Sequence, residues 1–320
     1  MNARPASPAS PASPALPASP VSPLSTAPSH RFYRSYLFVP ADSERLLQSA
    51  LNKTPDVVIL DLEDGVHPSR KAAARAGVAT AIGRVHAGGK AAAVRINGAL
   101  NTAIDDLRAA VSPGLRLLVL PKVEHARDVQ LLAGVVDELE RSAGLPAGEV
   151  RFLLQIESAA ALPRLHDIAA ASPRVQSMML GSEDFSLDVG GLPTPQALLT
   201  PSLMVLYAAR AAGVLPVGFV GSIANLGKVE EFEALLQQAR SLGFRGAVVV
   251  HPKFVDAINA CYTPTPEQVT QARAIVAAFD IADRDGLGAT KLGDLMIDKP
   301  VVLRAKALLI EAGLSPFGDG

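Results

Sequence analysis

The chain is predicted to fold as one (β/α)8 barrel, on three observations. Eight short apolar runs recur between residues 35 and 252, longer amphipathic segments separate them, and each run closes on a polar or charged cluster. Parallel strands are buried on both faces and therefore read as unbroken apolar runs. Eight such units in this length suit a closed barrel, whose post-strand loops converge at one mouth. An open doubly wound sheet remains the alternative, since it too places polar residues at strand ends.

The runs are Ser35 to Val39, Asp56 to Leu60, Ala91 to Ile96, Leu115 to Leu120, Arg151 to Ile156, Val175 to Leu180, Val214 to Val220 and Ala247 to Val250. They lead in turn into Pro40-Ala-Asp, Asp61-Leu-Glu-Asp-Gly, Asn97, Pro121-Lys-Val-Glu, Glu157-Ser, Gly181-Ser-Glu-Asp, Gly221-Ser and His251-Pro-Lys. Residues 31–262 are accordingly assigned to the barrel.

Residues 1–30 stand apart, with eight prolines in a repeating Ala-Ser-Pro pattern and no acidic residue. Such a segment buries too little apolar surface to offset its ordering entropy, and a disordered, polyproline-leaning tail is expected. Residues 263–320 form a third region. Thr265 is the expected N-cap of a helix with Pro266 in its first turn and Val269, Ala272, Ile275, Val276 and Phe279 at helical spacing. A polar Gly-containing link, Asp283 to Gly293, should lead through Leu295-Met-Ile-Asp-Lys-Pro to a second helix, Val301 to Ala312. The pair reads as a lid or arm on a neighbour, or as a cap on the barrel's own rim.

Composition narrows the function. Thirty basic against 31 acidic residues leave a formal charge of −1, so no global field recruits nucleic acid or an anionic membrane. One cysteine, Cys261, excludes an internal disulfide and a thiolate metal cluster, and a reducing cytoplasm is the expected compartment.

The chemistry gathers at the strand ends. Glu157 and Asp184 follow adjacent strands, about 4.8 Å apart, where two carboxylates can share a hard divalent cation such as Mg2+. Ser158 is the better helix cap, which frees the Glu157 carboxylate for the mouth. Glu63 and Asp64, beyond the second strand, are placed to hold waters on that cation. Arg95 closes the third strand and needs anions for its five donors, either acids across the mouth or a substrate carboxylate. Lys122 reads as a salt-bridged residue rather than a Schiff-base nucleophile, because Glu124 nearby opposes the lowered pKa such a lysine needs. His251 is either a base or a ligand, or a residue that fixes its loop.

In this order, Leu37-Phe-Val-Pro-Ala, Val58-Ile-Leu-Asp-Leu-Glu-Asp-Gly-Val, Val94-Arg-Ile-Asn, Leu120-Pro-Lys-Val-Glu, Gln155-Ile-Glu-Ser, Gly181-Ser-Glu-Asp-Phe, His251-Pro and Met296-Ile-Asp-Lys-Pro resemble the HpcH/HpaI aldolase and citrate lyase β-subunit family, CoA-ester lyase branch. The resemblance covers residues 34 to about 312. It implies a barrel with a C-terminal lid, assembled as a trimer or hexamer, in which Mg2+ and a CoA thioester meet. Glu157 and Asp184 match the metal ligands, and Arg95 matches the substrate-binding arginine. Asp298 matches a lid aspartate that acts as acid and base in a neighbour's site. Phe38 and Arg45 match contacts to the CoA nucleotide. The expected reaction is Mg2+-dependent cleavage of a 3-hydroxy-3-carboxyacyl-CoA, such as malyl-CoA or citramalyl-CoA, to acetyl-CoA or another acyl-CoA and a 2-keto acid. Two positions depart from the pattern: Ser49 replaces a frequent lysine, and Gly218 replaces an acid after the seventh strand. A citrate-lyase β-like subunit, a metal-dependent pyruvate aldolase and a non-catalytic CoA-binding partner remain as alternatives.

Overall fold

The computed structural model describes residues 32–224 and 226–316, so the tail assigned to residues 1–30 lies outside the described residues. Eight parallel strands appear where the apolar runs stand: β1 (Ser35–Pro40), β2 (Val57–Asp61), β3 (Ala91–Arg95), β4 (Leu115–Leu120), β5 (Arg151–Ile156), β6 (Val175–Leu180), β7 (Leu215–Pro216) and β8 (Ala247–Val249). They form one sheet in the order β7-β6-β5-β4-β3-β2-β1-β8. Beyond the ladder, Gly218 N donates to Gly246 O at 2.8 Å and Arg245 N to Pro216 O at 2.9 Å. These two bonds join the flanks of β7 and β8 and close the curled sheet into a barrel.

The seventh strand is much shorter than its seven-residue run. Pro216 has no N–H to give, and Gly218, at φ 134°, turns the chain out of the extended region. The other strands keep to their runs because alternate residues enter two apolar layers. Tyr36, Val57, Ile59, Leu117, Val119, Leu153, Met179 and Val248 fill the interior. Leu37, Val58, Leu60, Val94, Leu118, Phe152 and Leu154 meet the helices outside.

Those helices are α1 (Glu44–Leu51), α2 (Lys71–Ala87), α3 (Leu100–Ala110), α4 (Ala126–Ser142), α5 (Leu165–Ala169), α6 (Ser182–Asp188), α7 (Pro195–Ala211), α8 (Val229–Leu242) and α9 (Val255–Tyr262). Among the described residues no helix is long and apolar enough to cross a membrane.

After α9 the chain builds α10 (Pro266–Arg284), β9 (Ala289–Leu292), β10 (Leu295–Asp298) and α11 (Lys299–Glu311). Thr265 Oγ1 accepts from Gln268 N at 3.3 Å, and Gln268 Oε1 accepts from Thr265 N at 3.0 Å, a reciprocal cap on α10. The segment read from its polarity as a link is in part a β-hairpin: β9 and β10 pair antiparallel, with Leu292 opposite Leu295. A two-residue turn needs positive φ at its first central position, and Gly293 supplies it at 60°. The second helix begins two residues before the expected Val301, with Pro300 in its first turn. Ala272, Ile275, Val276, Ile297, Val302, Ala305 and Leu309 give this arm a core of its own.

The arm approaches its own barrel at the ends where strands begin. Arg245, just before β8, pairs with Glu311 at 2.8 Å. A groove there is lined by Arg34, Asp56 and Lys90 from the barrel and by Val269, Ala312 and Leu314 from the arm.

Candidate active site

At the opposite, strand-finishing ends lies a cavity of about 390 Å³. Asp61, Asp64, Arg95, Gln155, Glu157, Glu183 and Asp184 supply its charged and polar wall. Phe38, Met179, Leu198, Phe219, Ile223 and Val248 supply an apolar one.

Glu157 follows β5 directly and is 4% exposed. Its Oε2 accepts the backbone N–H of Lys122 at 2.8 Å. On its other side stands Gly181, where a Cβ would lie 2.4 Å from Glu157 Cγ and 2.5 Å from Oε1. Glycine is required there by this close approach. Burial, then the charges of Asp184 and Glu63, push the Glu157 carboxyl up to about 7, against the pull of the Lys122 N–H and Arg95. Asp184 sits in the first turn of α6 and is half-buried. The two acids thus face one cavity and repel one another across it.

Ser158 does not cap the turn that follows with its side chain; its Oγ donates to Glu124 Oε1 at 2.7 Å. Asp188 takes that place, its Oδ2 accepting from Ala159 N at 2.7 Å. Glu157 remains free of capping, as its place in the sequence requires, though by a different partner.

Arg95 is held by acids of its own chain. Its Nε and Nη2 each donate to Asp61 at 2.7 Å, and Nη1 lies 3.1 Å from Glu63 Oε2. Asp61 and Arg95 stand directly opposite in the β2–β3 register, so the fork-to-carboxylate match follows from strand pairing. Asp61 also accepts from Glu63 N at 2.9 Å and Gly65 N at 2.8 Å. Burial alone would lower the Arg95 guanidinium, but its bond to Asp61 and the charges of Asp61, Glu63 and Glu157 hold it above the usual arginine range. Two of its five donors are thus hydrogen-bonded, both to Asp61, and Nη1 is ion-paired with Glu63.

Phe38 lies beneath that guanidinium, with its ring centroid 4.7 Å from Cζ. Arg45 is exposed on α1 and is not part of the cavity lining. Glu63 is buried between Arg95 and Lys122 Nζ, which lies 2.9 Å from its Oε1. Burial raises the Glu63 carboxyl in spite of these two cations. Asp64 is exposed on the rim, 3.5 Å from Lys122 Nζ. Burial works to lower the Lys122 ammonium, but Glu63, with Asp64 and Asp184 beyond, carries it above the ordinary lysine range. That is the opposite of what a Schiff-base nucleophile needs.

His251 does not line the cavity. His251 Nδ1 accepts from Lys253 N at 3.1 Å and so fixes its loop. Asp298 is likewise absent from the lining; its Oδ1 accepts from Val301 N at 3.1 Å and caps α11. Gly218 is in the wall, at a φ that any residue bearing a side chain would find strained.

Three groups escaped sequence reasoning. Asp61 could have been found from an acid ending the strand beside Arg95. Gln155, two residues before Glu157 and on the same side of β5, has a buried Oε1 with no hydrogen-bond partner, next to the cavity. Glu183 accepts from Ser222 Oγ at 2.7 Å, across from the β7 loop. No pattern in the sequence marks that last pair.

Among the described residues no group of three or more His, Cys, Asp and Glu is placed to hold a metal ion. A cation at Glu157 and Asp184 would have two protein ligands and open positions for water and substrate, which suits a hard ion such as Mg2+ better than zinc.

The barrel brings paired carboxylates, an arginine anchored by acids and an apolar wall to one mouth, and the relatives of this chain are carbon–carbon lyases. The chain belongs to the HpcH/HpaI aldolase/citrate lyase family, whose model matches residues 34–252. It is 33% identical over 295 residues to the citrate lyase subunit beta of Leuconostoc mesenteroides subsp. cremoris, covering 91% of this chain and 97% of that one. It is 33% identical over 310 residues to an L-malyl-CoA/beta-methylmalyl-CoA lyase of Cereibacter sphaeroides, with 89% and 96% covered. Among solved structures, CitE of Mycobacterium tuberculosis in complex with magnesium, acetoacetate and coenzyme A superposes with a TM-score of 0.67 at 29% identity, covering 88% of this chain and 98% of that one.

Proposed function

We propose that the protein is a Mg2+-dependent CoA-ester lyase. It cleaves, or in reverse forms, a 3-hydroxy-3-carboxyacyl-CoA such as malyl-CoA or citramalyl-CoA, giving acetyl-CoA or another acyl-CoA and a 2-keto acid. The observation that carries this reading is the buried Glu157, facing Asp184 with its carboxyl pushed up to about 7, in a cavity that also contains Arg95. A divalent cation held by Glu157 and Asp184 would relieve both the burial and the like charge. When bound, Mg2+ supplies Lewis-acid polarisation of a chelating hydroxycarboxylate.

The chain's own residues do the rest. Asp61 and Glu63 fix Arg95 so that its unspent donors meet the oxygen of the thioester enolate as the C–C bond breaks. As the C–C bond breaks the substrate hydroxyl gives its proton to solvent and becomes the ketone, while the acid of Asp298 delivers a proton to the enolate carbon; in the condensing direction both transfers reverse, with Asp298 as the carboxylate base. Phe38 supports Arg95 from below, and Lys122 balances Glu63 and Asp64.

Residues 263–320 serve as the lid in this reading. Asp298 lies outside its own chain's cavity, and the arm exposes Ile281, Leu295, Met296 and Leu303. A homo-oligomer, trimeric or hexameric, would cover these side chains and bring Asp298 to a neighbour's mouth.

The test is release of acetyl-CoA from malyl-CoA and citramalyl-CoA stereoisomers, followed by mass spectrometry with Mg2+ and with EDTA. Cleavage that stops in EDTA is expected; equal rates in both would end the metal reading. Gly181→Ala offers a second check, since its Cβ must displace Glu157. Turnover should drop at least about a hundredfold while the fold stays intact, as read by kinetics and circular dichroism.

A further inference from the structure

Lys122 is the one residue other than glycine with positive φ among the described residues, at 53°. Left-handed backbone costs a residue with a Cβ, and such strain persists where the surroundings hold it. Here the surroundings are the end of β5. Val123 N, the next donor along, binds Gln155 O at 3.2 Å, while Lys122 N binds Glu157 Oε2 at 2.8 Å. Two consecutive N–H groups are thus turned onto the strand that carries Glu157.

We infer that Lys122 is a positioning residue whose left-handed backbone, rather than its ammonium, orients Glu157 for a divalent cation. The N–H engages one carboxylate oxygen and the close approach of Gly181 confines the other side, so the carboxylate has one place to lie. The ammonium does separate work: it meets Glu63 and Asp64, and the backbone contact to Glu157 does not depend on it. This inference rests on the metal reading given above.

The two roles of Lys122 come apart by substitution. Lys122→Gly, Lys122→Ala and Lys122→Val all remove the ammonium equally, but only glycine adopts the left-handed region freely, and a β-branched residue resists it most. Mn2+ is titrated into the metal-free proteins, with free Mn2+ read by electron paramagnetic resonance and folding checked by thermal melting. Lys122→Ala and Lys122→Val are expected to bind about five- to tenfold more weakly than Lys122→Gly. If valine prevents folding, the alanine variant carries the comparison. Equal affinities in the glycine and alanine variants would overturn the inference while leaving the metal site standing. A wild-type protein whose Mn2+ binding is absent, or is unchanged by Glu157→Gln, would overturn the metal reading and this inference together.

Discussion

Glu157→Gln is expected to lower turnover by about a thousandfold and, in the metal-free protein, to raise thermal stability at pH 7. The two effects share one cause. Glu157 is buried beside Asp184 and Glu63, and its carboxyl stands at about 7 in the fold against 4.5 ordinarily. A raised carboxyl means that the folded protein holds a proton the unfolded chain has released. Stability of the metal-free protein therefore falls as pH rises from about 4.5 to about 7, by on the order of 3 kcal/mol, and levels off above. Glutamine still accepts the Lys122 N–H, adds no charge, and removes this pH dependence. Melting curves from pH 5 to 8 with and without Mg2+, together with steady-state rates, check both halves. A variant that retains the wild-type rate, or melts below wild type at pH 7 without metal, contradicts the account.

The second large effect is expected between subunits of the proposed oligomer. Asp298→Ala alone should lose about a hundredfold to ten-thousandfold in turnover, and Glu157→Gln alone is nearly inactive. Co-expressed so that both kinds of subunit enter one assembly, they should regain activity. A mouth with intact Glu157 then meets the arm of a neighbour with intact Asp298, and random mixing gives such a pairing at about a quarter of the sites. Mixed oligomers, verified by mass spectrometry, that stay as inactive as either parent would show that Asp298 does not act across a subunit boundary.

The barrel strands were legible because burial on both faces keeps polar residues few inside them. Leu115 to Leu120 and Arg151 to Ile156 appear as strands over those same residues. What the pattern obscured was local: an apolar run did not reveal that Pro216 and Gly218 would shorten the seventh strand. The C-terminal hairpin was hidden by composition, since Gly286 and Gly288 beside Asp283 and Asp285 suggested a tether. The Gly293-Asp294 turn between alternating residues was the signal that could have found it.

In the site, Glu157, Asp184 and Arg95 could be chosen because their positions after strands imply a common mouth. Asp61 could not be chosen by that rule alone, because its importance lies in the register that sets it beside Arg95. The left-handed Lys122 was invisible, since lysine gives no hint of the conformation. Asp298 entered through resemblance alone, and its geometry within one chain explains why: it faces its own helix terminus, not its own cavity.

The charges around the cavity also set an order of events. Five carboxylates, Asp61, Asp64, Glu157, Glu183 and Asp184, line it together with a single guanidinium, Arg95, which Asp61 and Glu63 already engage. The CoA ester of the proposed reaction carries phosphates and a carboxylate, which a mouth of this sign would repel. On the proposed chemistry, substrate follows metal: a cation held by Glu157 and Asp184 would weaken the negative field that opposes the ester.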